Sequence, residues 1–142
     1  MQSGFTIIEV IIVTALFSLF LILGWPIGLD AYRNYLLTAE TRNLLSIIRR
    51  AETNAFANKN KSAHGVAIQS DQFVLFQGPS YAGRTAAYDE EYLKSGTVTV
   101  SGVVEIVFAQ ISGKPNASAT IVLSNELRSQ TISVNNEGTI NW

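Results

Sequence analysis

Cysteine is absent from the 142 residues, which removes disulfides, thiolate catalysis and cysteine metal sites together. Histidine occurs once, at His64, so His and Cys cannot supply a zinc ligand set. An excess of either charge is missing too: 10 Lys and Arg stand against 11 Asp and Glu, and bulk electrostatics nominate no polyanionic partner. No Gly-x-Ser-x-Gly elbow or phosphate loop occurs. The acidic run Asp89-Glu90-Glu91 lacks the Gly-spaced pattern of a calcium loop. No catalytic residue, metal site or cofactor is expected, and the chain does not read as an enzyme.

What the chain has instead is one long apolar run. Residues 5–29, FTIIEVIIVTALFSLFLILGWPIGL, hold a single charge, Glu9. As a helix they would extend ~37 Å at 1.5 Å per residue, more than the ~30 Å hydrocarbon core of a bilayer. A cleavable secretory signal wants a basic start, a run of about 7–15 apolar residues and a small-residue cut site after it, and none of these is present. Glu9 sets the segment apart from an ordinary anchor, because an ionised carboxylate near the middle of a membrane helix costs ~2.5–3.5 kcal/mol. Such a group calls for a partner.

The residues that open the run, Gly4-Phe5-Thr6-Ile7-Ile8-Glu9-Val10, resemble the class III signal of type IV prepilins and pseudopilins. The usual form is Gly-Phe-Thr-Leu-Ile-Glu followed by about twenty apolar residues, and only Ile7 differs from it. By that resemblance a prepilin peptidase cuts after Gly4 and methylates the new N-terminus at Phe5. Glu9 then pairs with the freed amine of a neighbouring subunit as the chain joins a filament. Physical logic agrees, since an amine and a carboxylate in a low dielectric are each expensive alone and attract strongly together. Pro26, flanked by Gly24 and Gly28, is expected to kink or loosen the helix, and members of that family commonly carry Pro there. Their leaders also carry Lys or Arg, which Met1 to Gly4 lacks. The motif alone therefore sets the orientation, and a start further upstream or a minimal leader would each account for the difference.

Beyond Pro26 the helical period resumes in Leu37, Leu44, Ile48, Ala51 and Ala55, on one face. One helix from about residue 5 to 57 is expected, bent at Pro26. Strand patterns follow at residues 64–69 and 72–77, a hairpin across Ser70-Asp71, and at 97–100 and 103–110, a second hairpin across Ser101-Gly102. Residues 118–124, 130–134 and 139–142 complete about seven strands. The expected fold class is α+β: a long N-terminal helix, membrane-spanning in its first half, packed on a small antiparallel β-sandwich in the manner of a pilin. The divisions are a leader at 1–4, a transmembrane and filament-core helix at 5–29, an amphipathic extension at 30–58 and a β-rich head at 59–142.

The C-terminal pattern, from Leu44-Leu45 to Ala51 and Ala55 and then Val134-Asn135-Asn136-Glu137-Gly138, resembles the H-type minor pseudopilins of type II secretion and the related FimT-like minor pilins. The resemblance implies a structural subunit of a type IV pilus or secretion pseudopilus. Its partners would be other pilin or pseudopilin subunits, prepilin peptidase and the bacterial inner membrane, with the head outside the cytoplasm. Residues 78–96, without clear period, read as a solvated loop in which Tyr81, Arg84, Tyr88 and Tyr92 offer a contact surface. Some FimT-like minor pilins take up DNA through basic residues, and Arg49, Arg50, Lys59 and Lys61 are the candidates here. A plain single-span anchor bearing a binding domain is the other alternative.

Overall fold

The computed structural model describes residues 4–142, without the side chains of residues 23–27. Two compact units, Met1–Arg33 and Asn34–Trp142, divide the chain, and the helix α1 (Ile7–Phe56) contributes to both. The bend expected at Pro26 lies outside the described side chains.

In the second unit α1 buries Leu37, Leu44, Ile48, Ala51 and Ala55. The seven-residue gap between Leu37 and Leu44 is filled by Thr41, only 1% exposed although polar. Its hydroxyl donates to the Leu37 carbonyl at 2.8 Å, and a group satisfied within its own helix can be buried at little cost. The helix ends at Asn58, whose left-handed φ of 54° suits an Asn cap. Beyond it, the Ile111 N–H donates to the Ala55 carbonyl at 2.9 Å, so a loop of the head closes the helix terminus.

Eight strands follow, all antiparallel. The first sheet has the order β3-β2-β1-β5, with β1 His64–Ile68, β2 Gln72–Gln77, β3 Glu90–Leu93 and β5 Glu105–Phe108. The second has the order β4-β6-β7-β8, with β4 Thr99–Gly102, β6 Ala119–Ser124, β7 Ser129–Val134 and β8 Ile140–Asn141. Period-2 alternation gives each face its role. Val66, Phe73, Leu75, Ile106 and Phe108 from the first sheet join Ile121, Leu123, Ile132 and Val134 from the second and the buried stripe of α1 in one core. On its other face the first sheet carries a smaller cluster of Ala67, Val74, Phe76 and Val107, packed by Ala63 and Tyr81. Gly65 lies opposite Phe76, and a Cβ there would come within 2.7 Å of the Ile106 carbonyl oxygen; the bare backbone lets the Phe76 ring lie over it.

The helix packed on two antiparallel sheets is the fold class expected, as is the hairpin of β1 and β2. Two expectations are corrected. Residues 97–100 and 103–110 do not form a hairpin: β4 pairs with β6, whereas β5 pairs with β1 in the other sheet. Gly102, at φ 112°, brings its backbone against the Thr120 carbonyl so closely that a Cβ would overlap it, and the chain changes sheets directly afterwards. Secondly, residues 78–96 are not all loop, because β3 lies within them as an edge strand, with its intermediate and exposed residues alternating. Only one side of β3 packs, so the segment reads as polar.

Replacing Ile48 with Ala should lower the unfolding free energy of the full chain in detergent by about 2–5 kcal/mol. Arg42→Ala, on the exposed face, should change it by less than about 0.5 kcal/mol. Chemical denaturation of the two variants checks this.

Candidate functional site

The aromatic and charged residues of the 78–92 segment fall into two groups. Tyr81 packs edge-on against Phe76 with ring centroids 5.6 Å apart, and Arg84 lies 3.8 Å over the Tyr81 ring. Arg84 also donates to Asp89 Oδ2 at 2.6 Å and to the Tyr81 carbonyl at 2.8 Å. The Tyr81 N–H donates to Glu105 Oε2 at 2.8 Å, and its hydroxyl accepts from Gln69 Nε2 at 2.6 Å. These bonds staple the segment over the outer face of the first sheet. Tyr92 turns the other way, where Arg50 donates to its hydroxyl at 2.8 Å and to Glu90 at 3.0 Å. Tyr88, 57% exposed, stays at the surface.

The four basic candidates are dispersed. Arg50 is paired with Glu90 at 2.9 Å, Arg49 is exposed on α1, and Lys59 and Lys61 are exposed on the 3-10 turn Lys59–Lys61. Beside that turn a cleft of about 240 Å³ is lined by Lys59, Asn60, His64, Tyr88 and Asp89, among others. His64 is 4% exposed, with Nδ1 3.2 Å from the Ser62 carbonyl. Burial holds its imidazole below the usual pKa, more strongly than that carbonyl raises it, and Lys59 lowers it further. No cysteine, serine or threonine lines the cleft, and among the described residues no group of three His, Asp or Glu side chains is placed to hold a metal ion.

The N-terminal unit has the opposite character. Gly4, Phe5 and Thr6 precede the helix; a Cβ at Gly4 would meet nothing within 4 Å, and Phe5 is 84% exposed. The Glu9 N–H lies 3.1 Å from the Thr6 carbonyl and 3.4 Å from Thr6 Oγ1. Thr6 is thus the N-cap with Glu9 at the third helical position, the Thr-x-x-Glu spacing of a capping box. Sequence reasoning took Glu9 as a charge in an apolar run and missed this local signal, which the spacing alone contains. Along residues 7–22 every side chain is exposed, including Ile7, Phe17, Phe20 and Ile22. The Thr14 hydroxyl donates to the Val10 carbonyl at 2.9 Å and that of Ser18 to the Thr14 carbonyl at 2.8 Å. Within this stretch, Glu9 alone carries a polar group that the helix does not satisfy.

Residues 1–25 match the family model for the prokaryotic N-terminal methylation motif. That match supports a type IV pilin-like protein. The motif implies processing by prepilin peptidase and assembly with other pilin subunits. No solved structure matches this pilin-like chain. The Pro26 side chain and the residues ahead of Gly4 lie outside what the structure describes. Among the described residues no helix is long and apolar enough to cross a membrane; the described apolar part of α1 runs from residue 7 to residue 22, and a span takes ~20 residues.

Because His64 is held neutral in the folded state, the unfolded chain binds more protons just below pH ~6.5. Folding stability should therefore be fully present above that pH and decline as the pH falls toward the lowered folded value. Melting temperatures between pH ~7.5 and ~5.5 should show the decline, and His64→Gln should flatten it. A second expectation concerns the staple: Arg84→Ala should open residues 79–88 to limited proteolysis while Tyr88→Ala leaves the cleavage pattern unchanged.

Proposed function

We propose that this chain is a minor pilin or pseudopilin, cleaved after Gly4, N-methylated at Phe5 and assembled through α1 into a type IV pilus or a type II secretion pseudopilus. In this reading residues 5–29 anchor the chain in the bacterial inner membrane as a single pass, with the head outside the cytoplasm, until the subunit enters the filament. Residues 30–58 then carry the head formed by residues 59–142, and the branch is that of the H-type pseudopilins and FimT-like minor pilins.

The observation that carries the proposal is the state of the first helical turns. A helix apolar on every side requires an apolar environment or neighbouring helices. Its hydroxyls bond their own backbone, as an environment without water requires. Glu9 is left with a carboxyl group and no ion pair among the described residues. Cleavage before Phe5 creates an amine, and a neighbouring subunit that brings this amine to Glu9 satisfies two groups that are costly apart. Pro26 serves as the place where the helix loosens on entering the filament.

Expressed beside a prepilin peptidase, the chain should have the intact mass and N-terminal sequence of a methylated Phe5 start; a retained Met1 would refute the reading. Glu9→Leu should be inserted and processed normally. Leaving the partner amine unpaired costs about 3–5 kcal/mol, so its recovery in filaments should fall by roughly two to four orders of magnitude. Normal recovery of that variant would remove the assembly role from Glu9.

A further inference from the structure

Three charge pairs of the head are matched within the chain: Arg50 with Glu90 at 2.9 Å, Arg84 with Asp89 at 2.6 Å and Lys114 with Glu137 at 2.7 Å. Arg42 and Arg49 differ. They lie two turns apart on the exposed face of α1 and, with Leu45, Ser46 and Trp142, line an open groove of about 460 Å³. Leu45 is 5% exposed and forms an apolar floor, while Trp142 is 61% exposed. Arg49 has Glu52 as its electrostatic neighbour; Arg42 has no ion pair among the described residues. Two guanidinium groups beside an indole and a leucine accept a carboxylate next to an apolar side chain.

That combination is present elsewhere on the same chain. On β3, Glu91 and Leu93 are exposed, Leu93 by 79%. They stand opposite Val74 and Gln72 in the register of the first sheet, on the face turned away from Tyr92 and the main core. Arg84 acts on Glu91 only through its electrostatic field. The strand β3 is the edge of the first sheet, whereas Trp142 follows β8, the edge of the second. We propose that the outer face of β3 in one copy, through Glu91 and Leu93, docks into the Arg42, Arg49 and Trp142 groove of a second copy. The two patches are different surfaces, so the contact is heterologous. Each copy keeps one groove and one strand edge free, so the contact does not close on itself as a symmetric dimer does. A duplex or single strand of DNA fits the groove less well, since two guanidinium groups neutralise too few phosphates for a binding track. The inference rests on the reading of the chain as an assembling subunit.

The absence of cysteine allows disulfide trapping on the full chain in detergent. A Ser46→Cys chain mixed with a Leu93→Cys chain should cross-link at least about tenfold more than Ser46→Cys mixed with Ser129→Cys. Arg42→Glu with Arg49→Glu in the first chain should lower that yield about tenfold, and Glu91→Lys in the second should restore at least about half of it. The contact is overturned if the Ser46 and Leu93 pair does not exceed the control, if charge reversal has no effect, or if Ser46→Cys cross-links to itself equally well. It is likewise overturned if a short DNA oligonucleotide blocks trapping at about 0.15 M salt. N-terminal mass on the same samples separates the two readings. A trapped dimer of chains that retain Met1 supports the contact and refutes the processing, whereas processed chains without the dimer refute the contact alone.

Discussion

The head depends on how closely α1 can approach two sheets at once. Leu37, Thr41, Leu44, Ile48, Ala51 and Ala55 follow one another at intervals of three and four along a single face, all within 1% of full burial. Large side chains occupy the earlier turns, where Leu44 and Ile48 fill the space between the layers. Ala51 and Ala55 occupy the last turns, where a loop of the head approaches the helix backbone and the Ile111 N–H reaches the Ala55 carbonyl. A larger residue at either alanine would push that loop away and leave the helix terminus without its partner.

A single helix therefore carries two kinds of surface. From residue 34 it is amphipathic, with one face in the core and Arg42, Arg49 and Arg50 on the other. Before residue 23 its side chains are exposed and apolar all round, and its hydroxyls are bonded to the helix itself. The capping geometry of Thr6 and Glu9 adds a local reason for the acidic residue: the helix N-terminus carries a partial positive charge that a carboxylate complements. Glu9 thus suits the start of the helix and, in the proposed assembly, suits a partner's terminus by the same electrostatics.

On the head, charge pairing decides which surfaces are free. The Arg84 and Asp89 pair and the cation-π contact with Tyr81 turn residues 78–89 into a fixed cover over Phe76 and Val74. Arg50 is held by Glu90 and Tyr92. All four basic residues considered for nucleic acid are exposed, Arg50 in its pair with Glu90 and Arg49, Lys59 and Lys61 at separate places along α1 and its following turn. A phosphate backbone needs several such groups on one track, and Arg50, one of the four, is held by Glu90.

The periodicities were legible because they arise from local geometry. A stripe at three and four residues places Leu44, Ile48, Ala51 and Ala55 on one face of any helix, and alternation at residues 64–77 suffices for a hairpin with its turn at Ser70-Asp71. The Asn135 to Gly138 turn is equally local, with Asn135 Oδ1 accepting the N–H groups of Glu137 and Thr139 at 3.0 and 2.8 Å. Sheet membership was not legible. Residues 97–100 and 103–110 alternate as adjacent strands do, yet the close approach of Gly102 to Thr120 and the pairing of β5 with β1 are contacts distant in sequence. Thr41 in the core, β3 within an apparently aperiodic stretch, and Tyr81 and Arg84 spent on an internal staple have the same origin. Each depends on a partner that arrives only when the sheets close. The sequence by itself determined the N-terminal signal, Glu9 and the helix that carries them, because these are read along one segment; the tertiary structure alone decided which charges of the head are left over for another molecule, because that depends on which partners folding brings within a few ångströms.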